Sequence, residues 1–147
     1  MGAAVTHFEI NARDGKKAQE FYAALFDWKI DSNNPMNYGI VMTGLKMGIG
    51  GGIGQVEADK QPFVTIYVQV ENPQAYVAKA VSMGAKEVLP ITVIPNMVTY
   101  GIFADPDGNM VGIVEGPQKD KKDTKPKKRA ARKKKPSSRG RRKIRRR

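Results

Sequence analysis

Polar and apolar positions alternate from the start of the chain. Over residues 4–11, Val5, His7, Glu9 and Asn11 fall on one face and Thr6, Phe8 and Ile10 on the other, as in a half-buried strand. Asp14 then stands where a helix needs a cap. Ala18, Phe21, Tyr22 and Leu25 recur at spacings of three and four, which predicts a helix from about Gly15 to Phe26. Short strands are predicted at Trp28 to Asp31, Tyr38 to Thr43 and Met47 to Ile53, separated by the turn-rich Ser32-Asn33-Asn34-Pro35 and by Gly44.

The same order then recurs. Phe63 to Val70 alternates as a strand, Asn72-Pro73 opens a helix through Tyr76, Val77 and Ala80, and Gly84 closes it before a strand at Lys86 to Leu89. Thr99 to Ala104 and Asn109 to Glu115 complete the set across the turn Asp105-Pro106-Asp107-Gly108. The period is about 57 or 58 residues. The expected fold is therefore α+β, with paired βαβββ modules packing their sheets side by side around an enclosed cavity and helices on the outer faces.

Charge divides the chain. It has 147 residues and a net charge of +12, but residues 118–147 hold 18 basic and 2 acidic residues, leaving 8 basic and 12 acidic residues in 1–117. A body of charge −4 thus precedes a tail of charge +16, whose only apolar residues are Ala130, Ala131 and Ile144. The tail has too little apolar surface to offset the entropy of folding, which predicts a folded domain over 1–117 and a disordered one over 118–147. Cysteine is absent, excluding disulfides, thiolate nucleophiles and Cys-type metal sites. Neither a secretory signal pattern nor a membrane-length apolar run is present, so the expected location is cytoplasmic, with nucleoid association through the tail.

Three fragments in order, VTHFEINARDGKKAQEFYAALFDWKI, VTIYVQVENPQAYVAKAVSMGAKEV and FADPDGNMVGIVE, resemble the vicinal oxygen chelate superfamily of glyoxalases, dioxygenases and bleomycin- and fosfomycin-resistance proteins. The resemblance spans roughly Val5 to Glu115. It implies a glyoxalase-like curved mixed sheet and, in enzymatic members, a divalent metal held by one side chain from the first and one from the last strand of each half. His7 stands at the first of these positions. Its counterpart is Thr65 if faces are matched, or Val64 if Asp14 is aligned with Glu71. The last-strand position in the second half is Gly112, and in the first half the stretch is MGIGGGIG, so three of the four ligands are missing. Catalytic metals generally need three protein ligands and an open position, so no cofactor is expected. A divalent metal on His7 belongs to the alternative reading, a metal-dependent lyase or dioxygenase.

The face carrying His7 and Glu9, with Thr65, Tyr67 and Gln69 opposite and Met110 beside them, is the expected ligand pocket, suited to a small organic molecule. His7 can hydrogen-bond a ligand or act as a base oriented by Glu9, and no catalytic residue is assigned. Tyr38 and Trp28 are candidates for the cavity edge, although Trp28 can equally cover the helix. The glycines from Gly48 to Gly54 lack the following helix and Lys of a phosphate loop, and are read as a close backbone approach.

The tail resembles linker-histone and nucleoid-protein tails in composition. Lys127, Lys128, Arg129, Arg132, Lys133, Lys134, Lys135, Arg141, Arg142, Lys143, Arg145, Arg146 and Arg147 are its candidate contacts to nucleic acid, without base readout or stacking residues. Anionic lipid is the competing partner, but no amphipathic stripe supports it. The expected function is a metal-free small-molecule-binding module with a non-specific nucleic-acid-binding tail. A homodimer is left open.

Overall fold

The computed structural model describes residues 2–44 and 46–116. They form ten elements: β1 (Ala4–Ala12), α1 (Gly15–Phe26), β2 (Lys29–Asp31), β3 (Gly39–Met42), β4 (Gly50–Gln55), β5 (Phe63–Val70), α2 (Pro73–Ser82), β6 (Lys86–Ile94), β7 (Val98–Ala104) and β8 (Met110–Glu115). The basic residues from Lys127 to Arg147 lie outside the described residues.

The eight strands make one curved, open mixed sheet in the order β2-β3-β4-β1-β5-β8-β7-β6. Its two halves meet where β1 pairs antiparallel with β5, Phe8 opposite Ile66. In each half the last strand runs parallel to the first, β4 beside β1 and β8 beside β5. Both helix starts are capped alike. The Asp14 side chain accepts from the Lys17 N–H at 3.0 Å and the Asn72 side chain from the Ala75 N–H at 3.0 Å. The cap of α2 is thus Asn72, not Glu71. Aligning Asp14 with Asn72 makes Thr65 the counterpart of His7, so the helix and face alignments agree.

The helix ends explain the turns. Gly84, at φ +100°, takes the left-handed conformation after α2, and Ala85 N–H donates to the Ala80 carbonyl at 3.0 Å. Asp27 takes the same conformation, φ +55°, after α1. Both helices pack on one side of the sheet. Against α2, Val70, Val77 and Ile113 form a buried cluster with Val68, Ile91 and Phe103 around it. On α1, the buried Gln19 donates its amide to the carbonyls of Asn37 (2.9 Å) and Ile53 (3.1 Å).

The structure departs from the alternation pattern in several places. A bulge between Val5 and His7 pairs Val5 with Val68, taking it off the His7 face. The strand expected from Met47 begins at Gly50, and Met47 is fully exposed. The strand expected to end at Leu89 runs through Pro90 to Ile94, which is tolerated because β6 is an edge strand and Pro90 costs no shared ladder bond there. The strand expected from Thr99 starts at Val98.

Candidate functional site

The helix-free face of the sheet is a trough whose floor is the β4-β1-β5-β8 centre. Strand pairing sets His7 beside Gly50 and Tyr67, and Glu9 beside Gly52 and Thr65. Tyr67 in turn lies beside Gly112, and Gln69 beside Val114, which faces Tyr100 across the next ladder. Residues directly paired across a sheet share a face, so these side chains project together. Tyr38 enters from the loop before β3. Asn34 folds that loop, its side-chain oxygen accepting from Tyr38 N–H at 3.0 Å and its amide donating to the Tyr38 carbonyl at 2.7 Å.

Glycines make room for the two rings. A Cβ on Gly52 would fall inside the Tyr38 hydroxyl, and one on Gly112 inside the Tyr67 ring. Tyr38 thus lies over β4, and Tyr67, 5% exposed, over β8. The glycine run of β4 is a seat for side chains, not for phosphate.

The rings converge on Glu9. Its Oε2 accepts from the Tyr38 hydroxyl at 2.9 Å, and its Oε1 accepts from the Asn11 amide at 2.6 Å and the Tyr67 hydroxyl at 3.3 Å. Tyr38 has one proton and gives it to Glu9, so the contact of 3.0 Å between His7 Nε2 and the same hydroxyl must be donated by histidine. The network therefore assigns His7 the Nε2–H tautomer, with Nδ1 left as an acceptor. Burial, and then the charge of Glu9, raise the pKa of both tyrosines well above the ordinary value, and Tyr100 is raised by the same causes. All three remain protonated donors at neutral pH.

Burial also lowers the pKa of His7 below its ordinary 6.5, the nearby Glu9 charge opposing the shift. The unfolded chain therefore binds this proton before the folded one. The stability that neutral His7 contributes is complete above about pH 6.5 and is lost as pH falls through the folded-state pKa. The midpoint of thermal unfolding should accordingly drop more steeply from pH 7 to 5 in the native protein than in His7→Gln, which keeps an N–H donor but cannot titrate. Parallel curves for the two proteins would remove His7 from the pH response.

Of the residues singled out in the sequence, Tyr67 packs on His7 and donates to Glu9, and Tyr38 bridges the same two. Thr65 is 3% exposed and spends its hydroxyl on the Met110 carbonyl at 2.8 Å, so it faces the trough without being free to bind. Gln69 lies against Gly116 at the end of β8, and Met110 begins that strand. Trp28 packs on the helix side with Phe8, Tyr22 and Phe26. Asn11 and Tyr100 were not among the candidates. Asn11 shares the alternation of His7 and Glu9. Tyr100 follows from the register of β7 against β8, which the sequence alone does not supply.

The donor set does not fit a divalent metal. Gly112 pairs with Tyr67, two residues after Thr65, and Gly52 pairs with Glu9, two residues after His7, so within the first-half glycine stretch Gly52 is the counterpart of Gly112. Of the four positions that the resemblance implies, Thr65 is turned to a carbonyl, Gly52 and Gly112 carry rings of other residues above them, and the Nε2 of His7 is committed to Tyr38. Among the described residues no three His, Cys, Asp or Glu side chains are grouped to hold a metal. Two clefts, of about 460 and 650 Å3, lie away from the His7–Tyr38 contact, one between α1 and the ends of β1 and β5, with Asn11 in its lining, the other beside α2.

Residues 4–113 match the model of the Glyoxalase/Bleomycin resistance protein/Dioxygenase superfamily, and the chain belongs to it. Among solved structures the fold is similar to a member of that superfamily from Vibrio splendidus, at 16% identity and a TM-score of 0.53, covering 78% of this chain and 100% of that one. It is similar to methylmalonyl-CoA epimerase from Streptomyces coelicolor in complex with 2-nitronate-propionyl-CoA, at 15% identity and a TM-score of 0.52, covering 78% and 97%. A hypothetical protein from Bacillus halodurans matches at 10% identity and a TM-score of 0.57, covering 81% and 98%. These likenesses speak for the fold alone. Comparison with curated proteins gives no match. No helix of the described residues is long and apolar enough to cross a membrane.

Proposed function

We propose that the chain is a small-molecule-binding member of its superfamily that works without a catalytic metal. It holds its ligand in the trough at His7, Glu9, Tyr38, Tyr67 and Tyr100, and its basic segment 118–147 contacts nucleic acid. The observation that carries the first part is the seating of Tyr38 and Tyr67 over Gly52 and Gly112. Where superfamily enzymes would project last-strand ligands, this chain places aromatic rings whose hydroxyls point at a carboxylate. Such a surface offers apolar area with a few fixed polar groups, which suits an organic ligand. The second part is supported by the separation of charge, −4 in the body against +16 in the segment after it.

Metal analysis of the purified full chain, combined with a mass-spectrometric search for molecules released on denaturation, tests the first part. Substoichiometric metal and a co-purifying organic compound, absent from Tyr67→Ala, are expected. Stoichiometric divalent metal that disappears in His7→Ala would overturn the reading in favour of a metal-dependent enzyme.

A further inference from the structure

Glu9 is a carboxylate without a cation. Its three partners, Asn11, Tyr38 and Tyr67, are neutral donors, and no Lys or Arg among the described residues forms an ion pair with it. His7 does not supply the missing charge, because burial keeps it neutral and its N–H goes to Tyr38. Each carboxylate oxygen has two acceptor sites. Oε1 is filled by Asn11 and Tyr67, whereas Oε2 takes only Tyr38. One acceptor site on a negatively charged oxygen is therefore left over.

Its surroundings are aromatic. Tyr67 packs against His7 with ring centres 5.8 Å apart and against Tyr100 at 6.3 Å, and Tyr38 completes the wall. His7, Glu9, Tyr38 and Tyr100 all keep part of their surface exposed, so the group is not sealed from solvent. Aromatic faces carry partial negative charge and attract cations, and a carboxylate among them deepens the attraction. An anion would meet repulsion there, and a neutral donor would gain only the hydrogen bond.

We propose that the ligand group recognised in this trough is a protonated amine, its ammonium donating to Glu9 Oε2 and resting against the rings of Tyr38, Tyr67 and Tyr100. The proposal rests on the trough being the binding site and adds the chemical class of what it binds. It also explains why Glu9 is held by three neutral donors: they fix its orientation without cancelling its charge.

Three probes of matched size separate the possibilities: benzylammonium, benzyl alcohol and benzoate, each titrated into the full chain while amide NMR shifts of β1, β5 and β7 are followed. Benzylammonium should saturate shifts at Glu9, Tyr67 and Tyr100 with an affinity at least 10-fold above that of benzyl alcohol. Glu9→Gln, which keeps the shape and an acceptor oxygen, should weaken it by about 10- to 100-fold, the range for loss of a charge-assisted hydrogen bond. If benzyl alcohol or benzoate shifts these amides as strongly, the cation assignment is wrong while the trough stands as the site. If none of the three moves them, both readings fall. The comparison among probes on the native protein needs no variant, so misfolding of Glu9→Gln would not rescue the proposal.

Discussion

Gly112→Ala should destabilise the protein by about 1–3 kcal/mol in urea unfolding, the usual range for forcing atoms into a packed site. The new methyl would meet the Tyr67 ring, which is 5% exposed and so has no open direction in which to move. Gly52→Ala should act differently. Its methyl would displace the Tyr38 hydroxyl, and Tyr38 is only partly buried, so the ring can swing away at the loss of its bonds to Glu9 and His7. Gly50→Ala, from the same run, would meet only the Val41 carbonyl, at 3.3 Å, a tight contact that a small backbone shift relieves, and should cost less than Gly112→Ala. A double-mutant cycle isolates the cause. In a Tyr67→Ala background the cost of Gly112→Ala should largely vanish, leaving a coupling within the 0.5–3 kcal/mol seen for touching residues. Additive costs would mean that Gly112 is needed for its own backbone and not for the ring above it.

The glycines also mark how far the sequence could be read. Alternation, helix caps and the repeated element order were sufficient for the two βαβββ halves, because each is a local signal and all agree. The glycine run could be assigned to a close approach, but not to the side chain that approaches. Tyr38, expected at the start of a strand, lies instead in a loop folded by Asn34, so its position over β4 depends on a tertiary path. Strand pairing hid a further part. The Val5 bulge and the register that brings Tyr100 beside Val114 are choices between nearly equivalent pairings, settled by packing across the sheet. His7 and Glu9 were legible because they sit on one alternating strand. What could not be read was that Tyr38 bridges them, which converts a candidate ligand pair into a fixed hydrogen-bond network.

The full chain should bind duplex DNA with an affinity that falls about 10³- to 10⁵-fold between 50 and 200 mM salt, if six to ten phosphates are contacted. The reasoning is electrostatic. The body, at −4, is repelled by phosphate, while residues 118–147 carry 18 positive charges in 30 positions, a density that releases condensed counterions on binding. The slope of log affinity against log salt counts the phosphates engaged. Replacing Arg141, Arg142, Lys143, Arg145, Arg146 and Arg147 by Gln in the otherwise complete protein should therefore flatten the slope as well as weaken binding, and should do so equally for duplexes of unrelated sequence. Fluorescence anisotropy titrations at four or five salt concentrations read both quantities. A slope unchanged by the six substitutions would place the contacts elsewhere in the chain, and a strong preference for one sequence would require base readout that a segment of this composition does not offer. The same titrations bear on the trough. Tail and trough carry opposite charge, so if they act independently, Glu9→Gln should leave the DNA affinity and its salt slope where they were. A rise in DNA affinity on removing the Glu9 charge would instead show that the carboxylate competes with phosphate for the protein's own lysines and arginines.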